Sequence, residues 1–387
     1  MNVYVRELSR ELGRRGIGVD IFTRSQDTKA PTTVALDRGV RVINLHTGSS
    51  VPYDKNWVLD YMPEFVSRVR CFADGQDLTY DLIHSHYWLS GMVGRQLKAR
   101  HGVPLVHTMH TMARVKNSTL SEHQTSEPDD REHGEAAIVA DADVLTANTP
   151  DEAAELQQHY GATTDQIRIV PPGVDLHTFH PCDQPHNRAQ LGVDQEKQVI
   201  LFVGRIQPLK APDVLIRAVA ELTELDPGRR DRLRLIIIGS PSGPDSEWSA
   251  TLAPLARDLG VGDLVIFRPH SPRADLFRWY CVADVVGVPS YNESFGLVAL
   301  EAQACGRPVV ATDVGGLRHA VRDQVTGLLV PGQDVQDWAG ALGTLLDDEA
   351  GRQRMGARAA AHASSFSWDN TAAATLAAYG AALDGGG

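Results

Sequence analysis

Leu235-Ile236-Ile237-Ile238, closed by Gly239, and Ile200-Leu201-Phe202-Val203, closed by Gly204, are apolar without interruption. A strand with one face in water alternates apolar and polar residues, so unbroken runs of this length fit strands buried on both faces. Such strands belong to a parallel sheet covered by helices, and parallel neighbours need a long crossover between them. The surrounding sequence has that rhythm. In the second half, strands are predicted at 198–203, 233–238, 264–267, 284–288 and 308–311. Helical patterns fill 210–224, 246–259, 272–282, 295–304, 334–348 and 350–364. The first half alternates in the same way, with strands at 18–23, 40–45, 81–85, 104–107, 143–147 and 167–170. Its helical patterns lie near 56–73, 89–100, 130–140 and 149–160. The fold class is therefore α/β, with doubly wound, Rossmann-like domains.

The chain opens on a helix. Val5, Leu8 and Leu12 recur at helical spacing from Met1 to Arg15, and Gly16 is a suitable stop. A doubly wound domain ordinarily begins with a strand and a glycine-rich turn before its first helix. Neither precedes Asn2, so the first strand of the N-terminal domain is expected to be missing and Met1 to be an internal methionine. Pro171-Pro172-Gly173-Val174-Asp175, running on to Pro181, is a breaker-rich hinge. A length of 387 residues accommodates two domains of about 150–200 residues, each with its own core. The expected division is an N-terminal domain over 1–174, a C-terminal domain over 175–364, and a C-terminal helix over 365–387 that can cross back to the first. Ligands of such sheets bind at the carboxyl ends of the strands, so two domains facing each other would hold theirs in the intervening cleft.

Charge narrows the partners. The net charge is −12, from 37 basic and 49 acidic residues, which argues against nucleic acid but not against small anions, since a pocket needs only a few local cations. No apolar run reaches the roughly 18 residues of a membrane span. Cys71, Cys182, Cys281 and Cys305 are scattered, which fits free thiols and a cytoplasmic protein.

Two stretches carry recognisable chemistry. Gly204-Arg205-Ile206-Gln207-Pro208-Leu209-Lys210 leaves a strand and presents two cations before a helix. Arginine offers a planar fork and lysine a point charge, a pairing suited to a diphosphate. Ser290-Tyr291-Asn292-Glu293-Ser294-Phe295-Gly296, running on to Glu301, sets two carboxylates eight residues apart across a loop-to-helix junction. The N–H groups of Ser294, Phe295 and Gly296 lie at the positive end of that helix, where an anion is favoured. Glu301 sits among Leu297, Val298, Ala299, Leu300 and Ala302, and a buried carboxylate there calls for a partner or a ligand. Together these parts suit a sugar nucleotide.

This combination resembles the retaining glycosyltransferases of family 4, which have the GT-B fold of two Rossmann-like domains facing across a cleft. The resemblance implies that Arg205 and Lys210 bind the donor diphosphate, Glu293 the donor sugar hydroxyls, and Glu301 the ribose. Ser271, with Pro269 and His270, falls where the family holds the uracil ring. The acceptor-side strings are more specific: His84-Ser85-His86-Tyr87-Trp88-Leu89-Ser90-Gly91, Val115-Lys116-Asn117 and Phe366-Ser367-Trp368-Asp369-Asn370-Thr371. They resemble those members that transfer N-acetylglucosamine from UDP-GlcNAc to 1D-myo-inositol 3-phosphate at the first step of mycothiol biosynthesis. By that resemblance the acceptor phosphate is held by Lys55, Tyr87, Thr111 and Arg131. Asn2 points at the acceptor, and His110 orients sugar and acceptor. His110, Glu293, Arg205 and Lys210 are the expected catalytic set.

No cofactor is implied, the place of Mg2+ stays open, and homologous enzymes suggest a homodimer. His84, His86, His107 and His110 lack the Cys or paired carboxylates of a metal centre, and no metal is assigned to them. Arg307 stands where the family usually has a smaller residue, and nothing in the sequence accounts for it. Three rivals share much of this pattern: a family 4 transferase with a sugar-phosphate or lipid acceptor, a UDP-GlcNAc 2-epimerase-like enzyme, and an inactive nucleotide-binding protein.

Overall fold

The structure is a computed structural model that describes residues 1–48, 59–118, 126–241 and 246–385. The chain forms two compact units: Met1–Pro171 with Trp368–Gly387, and Pro172–Ser367.

Unit 1 has two sheets. β1 (Val19–Ser25), β2 (Thr33–Asp37) and β3 (Val40–His46) are ordered β1-β3-β2, with β2 antiparallel to β3. β4 (Ile83–His86), β5 (Leu105–Thr108), β6 (Val144–Ala147) and β7 (Ile167–Ile169) form a parallel sheet in chain order. The helices of this part of the chain are α1 (Asn2–Arg14), α2 (Met62–Gly75), α3 (Trp88–His101), α4 (Ala113–Ser118), α5 (Asp129–Asp141) and α6 (Pro150–Tyr160). Where the alternation predicts one sheet, β1 and β4 are both edge strands and share no ladder. The sequence reading also passed over β2, whose short Thr33–Asp37 run returns to β3 through a turn at Gly39 with φ of 72°.

Unit 2 is a single six-stranded parallel sheet. β8 (Gln198–Val203), β9 (Leu233–Ile238), β10 (Val265–Arg268), β11 (Val285–Val288), β12 (Val309–Thr312) and β13 (Gly327–Val330) are ordered β10-β9-β8-β11-β12-β13. Its helices are α7 (Gln184–Leu191), α8 (Pro212–Leu225), α9 (Ser246–Ser249), α10 (Leu252–Asp258), α11 (Arg273–Val282), α12 (Leu297–Ala304), α13 (Leu317–Ala320), α14 (Val335–Asp347) and α15 (Glu349–Ala363). The unbroken runs behave as a doubly covered sheet requires. Ile200, Phe202, Leu235 and Ile237 enter one hydrophobic cluster, whereas Leu201, Ile236 and Ile238 enter another. Each such side chain stabilises the fold by roughly 1.5–3 kcal/mol. β8 proceeds to β9 and β10 on one side, and the chain then returns to β11 on the other. The strand order therefore reverses between β8 and β11, the crevice where such sheets take ligands.

After unit 2, α16 (Trp368–Asp384) belongs to unit 1 and packs on α1, β5 and β6. Trp368 meets Tyr4 edge to face at 5.6 Å, and Tyr379 donates to or accepts from His84 Nδ1 at 2.8 Å.

One expectation is corrected. Cys182 and Cys281 are joined as a disulfide, with Cα atoms 5.9 Å apart; Cys71 and Cys305 are free. The pair is 99 residues apart in sequence. Packing of α7 against α11 brings the two cysteines together, and no spacing rule could have shown it. Arg307, just before β12, has Nη2 3.9 Å from Cys182 Sγ. It lies at the amino ends of the strands, away from the carboxyl ends that carry the candidate donor residues.

Candidate functional site

Two clusters of candidate residues form, one in each unit. In unit 2, Arg205 and Lys210 lie on the loop leaving β8, and Glu293 lies on the loop leaving β11. These strands are neighbours at the reversal point. The Tyr291 N–H donates to the Leu209 carbonyl at 3.0 Å, fastening one loop to the other. Lys210 Nζ is ion-paired with Glu293 Oε2, and both side chains are about one-fifth exposed (19% and 22%). Arg205 is exposed and makes no ion pair among the described residues. Close backbone approach is needed here. A Cβ on Gly239 would fall 1.9 Å from the Gly204 carbonyl oxygen, so the carboxyl ends of β8 and β9 leave no room for one.

The β11 loop turns into α12 at Gly296, whose φ of 100° suits glycine. Gly316 donates its N–H to the Glu293 carbonyl at 2.9 Å. A Cβ on Gly316 would meet Ser294 O at 2.2 Å, so the loop is held tightly from behind. The helix starts at Leu297, two residues later than the sequence pattern places it, so Glu301 lies about one turn in. The Phe295 ring is core, edge to face with Phe366 at 5.6 Å, which leaves only its backbone for a ligand.

Glu301 is 9% exposed. It accepts from Tyr280 Oη at 2.9 Å and from Arg273 Nη2 at 3.2 Å, both on α11. Burial pushes its carboxyl above the usual range, with Arg273 and the Tyr280 bond opposing. Arg273 and Tyr280 were missed in the sequence. They are seven residues apart, hence on one helical face, and that spacing was the available signal. Ser271 is partly buried just before α11, and His270 takes its N–H to Ser240 Oγ at 3.2 Å. Neither contacts Glu301 in the bonds described.

In unit 1, Tyr87 and His110 follow β4 and β5, and both are non-glycine residues at positive φ, 73° and 61°. Backbone strain of this kind is held only where surrounding structure enforces it, and it gathers at working sites. Around them, His86 Nδ1 lies 3.1 Å from His110 Nε2, and the His84 and His86 rings are 4.1 Å apart. Tyr4 stands edge-on to His110 at 5.2 Å. Burial pushes His84 and His107 down to about 3 and holds His86 and His110 well below the usual range. These imidazoles are neutral at pH 7. Among the described residues no group of three or more His, Cys, Asp or Glu side chains is placed to hold a metal ion.

Tyr87, Thr111 and Arg131 come together. Arg131 Nη2 donates to Thr111 Oγ1 at 2.9 Å and to the Thr111 carbonyl at 3.1 Å, and its guanidinium lies 5.0 Å over the Tyr87 ring. Arg131 is 1% exposed. Its Nε donates to Glu135 at 2.7 Å, and its Nη1 lies 2.8 Å from Glu127. Glu127 also accepts from Lys116 Nζ at 2.9 Å. Arg131 and Glu135 are spaced four apart on α5, a helical ion-pair signal that the sequence does carry, and Glu127 lies just before that helix. Asn2 is exposed at the start of α1. Lys55 lies outside the described residues.

The family models for "Glycosyltransferase Family 4" and "Glycosyl transferases group 1" match residues 1–178 and 183–362. Among curated relatives, a D-inositol 3-phosphate glycosyltransferase of Thermobifida fusca is 49% identical over 99% of this chain and 88% of its own length. One of Kribbella flavida is 52% identical over 99% of this chain and 91% of its own. The chain belongs to the D-inositol 3-phosphate glycosyltransferase family. It is a glycosyltransferase with two Rossmann-like α/β domains. Of solved structures, a sucrose-phosphate synthase from Thermosynechococcus elongatus superposes with a TM-score of 0.89 at 32% identity, covering 98% of this chain and 92% of that one. This chain thus shares its architecture with a protein named for a phosphorylated sugar rather than for a phosphorylated cyclitol. No helix among the described residues is long and apolar enough to cross a membrane.

Proposed function

We propose that this glycosyltransferase moves N-acetylglucosamine from UDP-GlcNAc to 1D-myo-inositol 3-phosphate, with retention at the anomeric carbon. The observation that carries the acceptor is the cluster of Arg131, Thr111 and Tyr87 in unit 1, a cation bonded to one hydroxyl and stacked on a tyrosine ring. Cations with directional donors are what a phosphate monoester needs. Kinship of about half identity with proteins named for inositol 3-phosphate supports the same acceptor. Lys55 is the fourth ligand by resemblance, and Asn2 faces the cyclitol.

On the donor side, the reversal point between β8 and β11 supports a diphosphate held by Arg205, Lys210 and the N–H groups before α12. Negative charge grows on the departing diphosphate, and preorganised cations and a helix start stabilise it without reorganising at the moment of reaction. Glu293 orients the donor sugar hydroxyls, Glu301 accepts from the ribose, and Ser271 lies beside the uracil. The acceptor hydroxyl attacks on the face the diphosphate leaves and passes its proton to the leaving phosphate. Neutral His110 accepts or donates a hydrogen bond to hold sugar and acceptor in line. The enzyme works as a homodimer, with no obligatory cofactor.

The test is UDP release from UDP-GlcNAc with and without inositol 3-phosphate. Arg131→Ala is a poor probe, because it leaves buried Glu135 without its cation, a change that destabilises by about 3–5 kcal/mol. Tyr87→Phe keeps the ring beneath the guanidinium and removes only the hydroxyl. One neutral hydrogen bond of about 0.5–1.5 kcal/mol predicts a several-fold rise in acceptor KM with acceptor-free UDP release unchanged. Lys210→Ala lowers turnover with any acceptor. Equal loss in both variants without acceptor contradicts this division of roles. The phosphate cluster and the likeness to sucrose-phosphate synthase also fit a sugar-phosphate acceptor, and transfer to a hexose phosphate but not to inositol 3-phosphate would select that reading.

A further inference from the structure

Arg131 is held by two carboxylates that differ in kind. Glu135 is 0% exposed and fully engaged: it accepts from Arg131 Nε at 2.7 Å, from the Ala113 N–H at 2.8 Å and from Tyr160 Oη at 2.5 Å. That carboxylate fixes α4 and α6 to α5. Glu127 is different. Its side chain is 15% exposed, and among the described residues its carboxylate meets only the two cations, Lys116 Nζ at 2.9 Å and Arg131 Nη1 at 2.8 Å. The contact to Nη1 is close but lacks the angle of a hydrogen bond, so that buried nitrogen has charge compensation without a directed acceptor. The backbone on either side is pinned: Glu127 N–H donates to Asn117 Oδ1 at 2.8 Å, and Asn117 Nδ2 donates to the Glu127 carbonyl at 3.3 Å. The Glu127 side chain can therefore rotate away while its main chain stays put.

We propose that Glu127 is an internal anion that the acceptor's phosphate displaces from Lys116 and Arg131, which makes Glu127 a determinant of acceptor affinity and Lys116 a further phosphate ligand. The inference rests on the acceptor reading above. A phosphate monoester carries about −1.5 to −2 charges at pH 7 against −1 for the carboxylate, so it outcompetes Glu127 between the same cations. Its tetrahedral oxygens also supply the acceptor that Nη1 lacks. Thr111 Oγ1 and the Tyr87 hydroxyl complete the site. A neutral acceptor has nothing with which to expel Glu127, and the carboxylate discriminates against it.

The experiment is calorimetric titration of inorganic phosphate into the full chain and into Glu127→Gln, with thermal melts in and out of phosphate. Removing the competitor predicts about tenfold tighter phosphate binding, equivalent to roughly 1.4 kcal/mol. It also predicts a lower Tm without phosphate that phosphate largely restores, and a lower KM for inositol 3-phosphate with the donor KM unchanged. Unchanged or weaker phosphate binding, or a Tm loss that phosphate does not reduce, overturns the proposal. Glu127→Asp keeps the charge but loses the reach to both cations, and it predicts the same direction to a smaller extent if the glutamine variant folds poorly. Phosphate titration needs no acceptor. Tighter phosphate binding without turnover of inositol 3-phosphate would remove the acceptor's identity and keep the role of Glu127; turnover with phosphate affinity unmoved would do the reverse.

Discussion

Tyr280→Phe isolates what one hydroxyl does for Glu301. Tyr280 is fully buried, and its Oη donates to Glu301 Oε2 at 2.9 Å. Phenylalanine fills the same space but offers no donor. A hydrogen bond to a charged group contributes about 1.5–3 kcal/mol, and this one favours the ionised carboxylate that burial opposes. Losing it pushes the Glu301 carboxyl further up. The sign follows directly: a raised carboxyl is ionised only at higher pH, so a ligand that needs the carboxylate loses affinity as pH falls through that range. At 1.36 kcal/mol per pH unit, the acid limb of UDP binding moves to higher pH by about 1–2 units. Above the limb, affinity matches wild type because Arg273 still holds Oε1. Isothermal titration of UDP from pH 5.5 to 8.5 reads this directly, and urea unfolding of the same samples should show a loss of about 1.5–3 kcal/mol where Glu301 is ionised. Superimposable binding profiles would refute both the ribose role of Glu301 and the reasoning from its environment.

Two further outcomes follow from the packing. Glu152 is 7% exposed, and burial pushes its carboxyl from 4.5 up to about 7. The unfolded chain releases that proton first, so stability falls as pH rises from 4.5 to 7. Glu152→Gln, which keeps an acceptor for the Asn148 N–H, should therefore stabilise by up to about 3 kcal/mol at pH 8 and by nothing at pH 4.5; equal denaturation midpoints at pH 8 would contradict this. Gly239→Ala forces a Cβ to 1.9 Å from the Gly204 carbonyl oxygen and should cost about 3 kcal/mol or more, with UDP binding lost along with the β8–β9 register. A folded variant that binds UDP normally would show that the two strand ends can separate freely.

Much of the fold could be read in the chain because local signals and tertiary environment agree there. Leu235–Ile238 is apolar on every residue because both faces of β9 are covered, and Gly296 marks the turn into α12. The candidate donor residues Arg205, Lys210 and Glu293 could be picked out for a related reason: they follow directly on strands whose ends the sequence marks. The helix carrying Glu301 starts late because Gly296, at φ of 100°, cannot continue a helix backwards. What escaped notice depends on contacts between segments distant in sequence. The disulfide needs α7 and α11 to pack before Cys182 and Cys281 become neighbours. The Lys116–Glu127–Arg131 arrangement needs α4 laid against α5, although the four-residue spacing of Arg131 and Glu135 was a local clue. Arg273 and Tyr280 look like ordinary helix residues until α12 places a carboxylate between them.

The return of α16 to unit 1 bears on how the polypeptide is made. Translation delivers α1 and its sheets first, then all of Pro172–Ser367, and only afterwards the helix that covers Tyr4, His84 and Trp368's partners on α1. The later-made unit is continuous and can condense on its own as it leaves the ribosome. The earlier-made one must wait, its apolar flank bare, until α16 has followed Pro172–Ser367 out of the ribosome.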